Sequence, residues 1–172
     1  MAAALALRGR DADFVHRRAG PFPARRSAPR QEGRPMTQVK EIMTPNPDWV
    51  APTTPVTEAA KIMSDRDIGV LPIGKDDKLV GMITDRDIVT RCVAHGLDLA
   101  DTQVGSVMSE KVLYCRDTDD IDFVALNLGE QRVHRLPVID EDKRLVGMIT
   151  TGDIAAHGSA SSAGLALNGI AG

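Results

Sequence analysis

Cysteine is nearly absent: Cys92 and Cys115 are the only two, and no Cys-x-x-Cys spacing joins them. That excludes a disulfide framework and a zinc ribbon. It suits a reducing compartment, so the expected location is the cytoplasm. No apolar run approaches the roughly 18 residues that a bilayer-spanning helix needs, which excludes a membrane protein. Basic character is missing from most of the chain. Residues 1–35 carry eight Arg against Asp11, Asp13 and Glu32, yet the whole chain has a net charge of −3, so the remainder is near −8. An acidic body lacks the basic face that releases counterions from a phosphate backbone, so nucleic acid is not expected as a main partner.

Catalytic and cofactor fingerprints are missing as well. There is no Gly-x-Gly-x-x-Gly, His-Glu-x-x-His or Gly-x-Ser-x-Gly. His16, His95, His134 and His157 do not have metal-ligand spacing. Gly69 to Asp76 imitates a phosphate-binding loop, but Asp76 stands where a magnesium-binding Ser or Thr belongs and Pro72 interrupts the nest of amides. The expectation is a protein that is not an enzyme, with no metal and no required cofactor.

What the chain does have is a repeat. Gly69-Val-Leu-Pro-Ile73 and Leu79-Val-Gly-Met-Ile-Thr84-Asp-Arg-Asp87 return as His134-Arg-Leu-Pro-Val138 and Leu145-Val-Gly-Met-Ile-Thr150-Thr-Gly-Asp153. Val39 and Met43 recur 65 residues later as Val104 and Met108; one inserted residue makes the offset 66 for the second run. A unit of about 60 residues buries too little surface to be comfortable alone, so the two copies are expected to fold as one pseudo-symmetric pair with clefts between them.

The chain therefore divides into an Arg-rich extension at 1–35, expected to be disordered, a first repeat at 36–100, a second at 101–158, and a Gly/Ala/Ser-rich flexible tail at 159–172. Met36, where ordinary sequence begins, is an alternative start to Met1, and organelle targeting by the extension is the lesser reading. In the first repeat Thr54 is expected to cap a helix with Pro55 at its first position, burying Val56, Ala59, Ala60 and Met63. In the second, Asp119 is the expected cap, with Ile121, Val124, Ala125 and Leu128 as the buried stripe. The predicted strands are Gly69–Ile73, Leu79–Ile83, Val133–Ile139 and Leu145–Ile149, with lead-ins near Asp48–Ala51 and Val112–Cys115. Helices at about Asp85–Ala94 and Thr151–Ala156 follow, each ending at a His-Gly pair.

The Thr-x-x-Asp units at Thr84–Asp87 and Thr150–Asp153 are first of all capping boxes, each worth roughly 1 kcal/mol. Their duplication where a strand becomes a helix allows a second role: free amides suit a phosphate, and a carboxylate beside them can accept both hydroxyls of a ribose. His134 and Arg135 could supply phosphate contacts, or simply be a packed His and a solvated Arg. Trp49 and Tyr114, one in each lead-in, could border a purine or serve as packing groups.

Val39-Lys-Glu-Ile-Met-Thr44, the Gly-Val-Leu-Pro-Ile strand and the Gly-Met-Ile-Thr-Asp-Arg-Asp-Ile run resemble a cystathionine-β-synthase (CBS) domain. The two copies, over about residues 38–158, resemble the tandem pair of the short bacterial type, the Bateman module. The resemblance implies an α+β fold of two β-α-β-β-α repeats and an adenosyl ligand in the clefts between them: AMP, ADP or ATP, with S-adenosylmethionine as a variant. Carried over by position, one cleft uses Thr84 and Asp87 with Val112, Leu113, Val133, His134 and Arg135. The other uses Thr150 and Asp153 with Thr54, Ala59, Ile68, Gly69 and Val70. Gly69-Val70 lacks the His-Arg pair, so the clefts are unequal. The expected role is a homodimeric sensor that changes shape on binding; the alternative is a ligand-free dimeric scaffold.

Overall fold

The computed structural model describes residues 36–157 together with Gly20, Pro21 and Gly164. The expectations of a disordered extension and a flexible tail otherwise lie outside the described residues. A two-residue strand β1 (Gly20–Pro21) precedes α1 (Val39–Ile42), β2 (Thr44–Pro45), α2 (Val56–Arg66), β3 (Val70–Lys75), β4 (Lys78–Thr84) and α3 (Asp85–Asp87). Then follow β5 (Leu113–Arg116), α4 (Ile121–Gln131), β6 (Arg135–Ile139), β7 (Leu145–Thr150) and α5 (Thr151–His157). The architecture is α+β, as expected from the sequence.

One sheet runs β1-β5-β6-β7-β2 and the other is the β3–β4 hairpin. The lead-in of the first repeat is thinner than expected: Val50 makes a single parallel bridge to Ile73, where the second repeat has the strand β5 beside Val138 and Ile139. Helix α3 continues as a π turn over Ile88–Cys92 and a 3-10 turn over Val93–His95, and it stops at Gly96, which takes the left-handed conformation at φ 66°.

Two caps differ from expectation. Pro55, not Thr54, is the N-cap of α2, and no side chain caps it. The orphan amides of Val56 and Thr57 instead donate to the carbonyls of Thr102 (2.8 Å) and Leu99 (3.2 Å), so the crossing chain satisfies them. Asp120, one residue later than expected, caps α4 by accepting from the amides of Asp122 and Phe123, while Asp119 accepts from the Arg116 amide.

The crossing chain is the organising feature. Each half reaches over and completes the other. Val104 N donates to Thr54 O at 2.9 Å, and Val39 N, 65 residues earlier, donates to Asp119 O at the same distance. Gly105 N to Pro52 O and Lys40 N to Asp117 O form a second symmetric pair. The bridges Gln38 to Asp120 and Gln103 to Pro55 form a third. Lys78 and Arg144, equivalent residues, bridge to each other, which puts the pseudo-twofold axis between them.

The cores follow this exchange. Val56, Ala59, Leu71, Ile73, Ile83 and Cys92 of the first half enclose Val104 and Val107, with Met108 packed beside them. Ile121, Val124, Leu128, Leu136, Val138, Ile149 and Ile154 of the second enclose Val39, with Ile42 and Met43 beside them. Met43 lies on Gly147 and Met108 on Gly81. An ideal Cβ at Gly81 would stand 2.5 Å from Met108 Sδ and 3.3 Å from the Ser109 carbonyl oxygen, so a side chain there would have to push the thioether and the opposite lead-in aside.

Candidate functional site

At the end of β4 the chain turns into α3, and Thr84 and Asp87 close on each other. Asp87 Oδ2 accepts from the Thr84 amide (3.0 Å) and hydroxyl (2.8 Å), and the Asp87 amide donates to Thr84 Oγ1 (3.0 Å). The end of β7 repeats this clip: Asp153 Oδ2 accepts from the Thr150 amide and hydroxyl, both at 2.8 Å, and the Asp153 amide donates to Thr150 Oγ1 at 3.1 Å. Each clip fixes a half-buried carboxylate at a strand-to-helix junction and leaves its second oxygen outside the clip. An ionised carboxylate has about four acceptor positions, so each retains capacity for the paired hydroxyls of a sugar.

The second oxygens are not alike. Asp87 Oδ1 lies 3.2 Å from a guanidinium nitrogen of Arg91. The same guanidinium donates to Val107 O at 2.6 Å and to Ser109 Oγ at 3.1 Å, so it ties the clip to the lead-in of the other repeat. Asp153 Oδ1 has no such partner among the described residues.

The lead-ins run alongside the strands that end in the clips. Ser109 is paired with Met82 in β4, and four residues later Leu113 opens β5, so Val112 and Leu113 lie half-buried on the stretch that passes from one repeat to the other. The symmetric stretch leaves β7 at Thr44–Pro45 and reaches Val50 beside Ile73. The residues equivalent to Val112 and Leu113 are therefore Pro47 and Asp48, which the sequence assignment omitted. Applying the 65-residue offset to the lead-ins, as to the Leu-Pro strands, finds them.

Thr54 and Ala59 lie at the start of α2. Thr54 lies just before α2 and Ile68 just after it; 11 helical residues put about 16 Å between them. Ala59 is wholly buried in the first core and offers no surface to a ligand.

The strand starts are placed as expected, though each lies beside the clip of its own repeat: Val70 pairs with Thr84, and Arg135 with Thr150. Gly69 O accepts from Asp85 N at 3.0 Å, as His134 O accepts from Thr151 N at 2.9 Å. His134 and Arg135 are exposed, Val133 packs on the second core, Ile68 packs on the first, and Val70 is buried. A Cβ at 69 would stand 2.9 Å from the carboxylate of Asp85, an exposed side chain that can move aside.

Trp49 lies over Gly74 at the edge of a hollow of about 200 Å³ that Asp77, Arg144, Leu145 and Val146 complete. It sits near the hairpin turns, at the far ends of β4 and β7 from both clips. Neither Asp87 nor Asp153 lines it, and it is smaller than the roughly 300 Å³ at which small-molecule pockets begin. Cys92 and Cys115 are buried, and burial raises both thiols above their ordinary value, so neither is poised as a nucleophile. No three His, Cys, Asp or Glu side chains converge on a metal position among the described residues, and no described helix is long and apolar enough to cross a membrane.

Comparison with known proteins agrees with this architecture. The model of the CBS domain family matches residues 39–94 and again 104–159. Hypoxic response protein 1 of Mycobacterium tuberculosis is 41% identical over 123 residues, covering 71% of this chain and 85% of that protein. A crystal structure of Hypoxic Response Protein I, with two coordinated zinc ions, superposes with a TM-score of 0.64 over 71% of this chain and 99% of that one. The CBS domain pair of protein MJ0100, in complex with 5-methylthioadenosine and S-adenosyl-L-methionine, is 31% identical with a TM-score of 0.60, covering 71% of this chain and 95% of that one. CBSX2 from Arabidopsis thaliana, in complex with AMP, is 29% identical with a TM-score of 0.60, covering 69% and 93%. The exchanged lead-ins, the doubled Thr–Asp clip and these matches have one reading: the chain belongs to the CBS domain family, as a tandem pair of its repeats.

Proposed function

We propose that this protein is a non-enzymatic regulatory module that binds an adenine nucleotide at a Thr–Asp clip and passes the binding on through the seam between its repeats. The observation that carries the reading is the doubled clip: two carboxylates, each held by two hydrogen bonds to its Thr within a three-bond clip, with a second oxygen outside it, that of Asp87 facing Arg91. The complexes of MJ0100 with S-adenosylmethionine and of CBSX2 with AMP support an adenosyl ligand in this fold. Arg135, exposed and beside Thr150, is the cation offered to a phosphate. The proposed output is a shift between two arrangements of the lead-ins, which a ligand drives only by its differential affinity for them, typically 1–3 kcal/mol. The module is further proposed to act in the cytoplasm as a homodimer, joined through the apolar stripe of Val89, Val93 and Leu97, which are 58%, 56% and 42% exposed.

Calorimetric titration with AMP, ATP and S-adenosylmethionine tests the reading. A hydrogen bond to a charged group is worth about 1.5–3 kcal/mol, so replacing both carboxylates (Asp87→Asn with Asp153→Asn) should weaken binding at least tenfold while keeping the caps. Absence of heat from all three ligands with the wild-type protein refutes the reading and favours a ligand-free scaffold.

A further inference from the structure

The two clips are superposable in their hydrogen bonds but not in what surrounds them. In the first, Arg91 sits one helical turn beyond Asp87 and holds its outer oxygen at 3.2 Å. The same side chain reaches the Val107 carbonyl and the Ser109 hydroxyl in the crossing lead-in, so three groups of two segments meet on one guanidinium. The Arg91 side chain is 34% exposed and that of Asp87 17%, which makes this the most protected ion pair among those described. In the second clip the residue at Arg91's position, 66 further on, is His157. Its Nδ1 lies 3.3 Å from the Asp153 main-chain carbonyl and does not engage the carboxylate.

From this contrast we infer that Arg91 latches the first cleft, so that an adenosyl ligand fills the Asp153 cleft first. This rests on the nucleotide reading and says which of the two clefts takes the ligand. A ribose approaching Asp87 meets a carboxylate already neutralised by a cation, and must displace a guanidinium whose other bonds hold Val107 and Ser109. A ribose approaching Asp153 meets a carboxylate with one oxygen unpaired among the described residues, and its hydroxyls gain charge-assisted bonds without breaking any made there. The latch also ties occupancy of the first cleft to the lead-in that lays Met108 on Gly81. A ligand that opened it would free Val107 and Ser109 from the guanidinium.

Titration of the full chain with AMP separates the possibilities. Expected are one AMP per chain for the wild type, at least tenfold weaker binding for Asp153→Asn, and a change of no more than about twofold for Asp87→Asn. Arg91→Ala should raise the stoichiometry from one to two. The Asn variants keep a capping side chain, and unchanged melting curves exclude misfolding as the cause of any loss. The inference is overturned if Asp87→Asn is the damaging change, or if Arg91→Ala weakens binding or still takes one AMP. Those results leave wild-type binding in place. Silence from the wild type and from Arg91→Ala alike overturns the nucleotide reading, and the latch with it.

Discussion

Replacing Gly147 by alanine should destabilise the fold through a residue that lies over a hundred positions away in the sequence. A methyl group there would be driven into Met43 Sδ and would stand 3.0 Å from its Cγ and 3.1 Å from the Thr44 carbonyl oxygen, inside the 3.5–4.0 Å of ordinary contact. The thioether can swing aside, but the Thr44 carbonyl belongs to β2, which is paired to β7 through Thr44–Met148 and Pro45–Gly147. Overpacking of this kind costs typically 1–3 kcal/mol, against about 0.4–1 kcal/mol gained by restricting the unfolded chain. A net loss of about 1–2 kcal/mol is expected, read as a lower urea midpoint by far-ultraviolet circular dichroism at unchanged slope. Met43→Ala removes two of the three close contacts, so the double variant should be more stable than the single losses sum to, by about 1 kcal/mol. A neutral or stabilising Gly147→Ala, or strictly additive losses, would refute the exchanged lead-in as the reason for this glycine.

Asp120→Ala should cost about 1 kcal/mol as the loss of an N-cap, whereas Thr54→Ala should stay within about 0.5 kcal/mol because its side chain caps nothing; paired urea curves separate the two. Both thiols are raised above the ordinary 9.0 by burial, so the unfolded chain ionises before the folded one. Their contribution is complete below pH 9.0 and declines as pH rises above it, and stability measured from pH 8 to 10.5 should fall less steeply in Cys92→Ala and Cys115→Ala. In native protein neither thiol should react with a thiol reagent at neutral pH; rapid labelling would contradict their burial. Val89→Glu combined with Val93→Glu should turn a dimer into a monomer in sedimentation velocity, and a variant that sediments unchanged would remove the stripe from the proposed interface.

Much of the fold was legible because its signals are local. The Leu-Pro strands, the Leu-Val-Gly-Met-Ile-Thr strands and the helices after them all appear within two or three residues of their expected places. The caps of α2 and α4 were misplaced for different reasons. At α4, Asp119 and Asp120 are both competent, and only the backbone decides which of them precedes the first helical residue. At α2, the amides that Thr54 should have satisfied are taken by Leu99 and Thr102, and no local pattern announces a partner over 40 residues away. The site divides in the same way. The Thr–Asp clips were visible as capping boxes, because both partners lie within one turn of the chain. Arg91 carries no local signal of its role, because its partners Val107 and Ser109 lie 16 and 18 residues away and only the fold brings them to it.

Duplication explains why the halves match, and the exchange explains why they stay together. Val39 is fully buried only among second-half residues, and Val104 only among first-half residues, so each lead-in is stable just where the other repeat supplies its core. Anything that moves a lead-in therefore acts on both cores at once. Strict duplication would make the two clips and their surroundings identical. The chain instead departs from symmetry where it bears on binding: Arg91 against His157, Gly69-Val70 against His134-Arg135, and a bare bridge at Val50 against the strand β5. These differences concern few side chains, and they leave the equivalent hydrogen bonds of the two crossings within a few tenths of an ångström of each other. The scaffold is held in common while the chemistry of each cleft is set separately, which is what two clefts need if one is to take ligand and the other is to hold the seam.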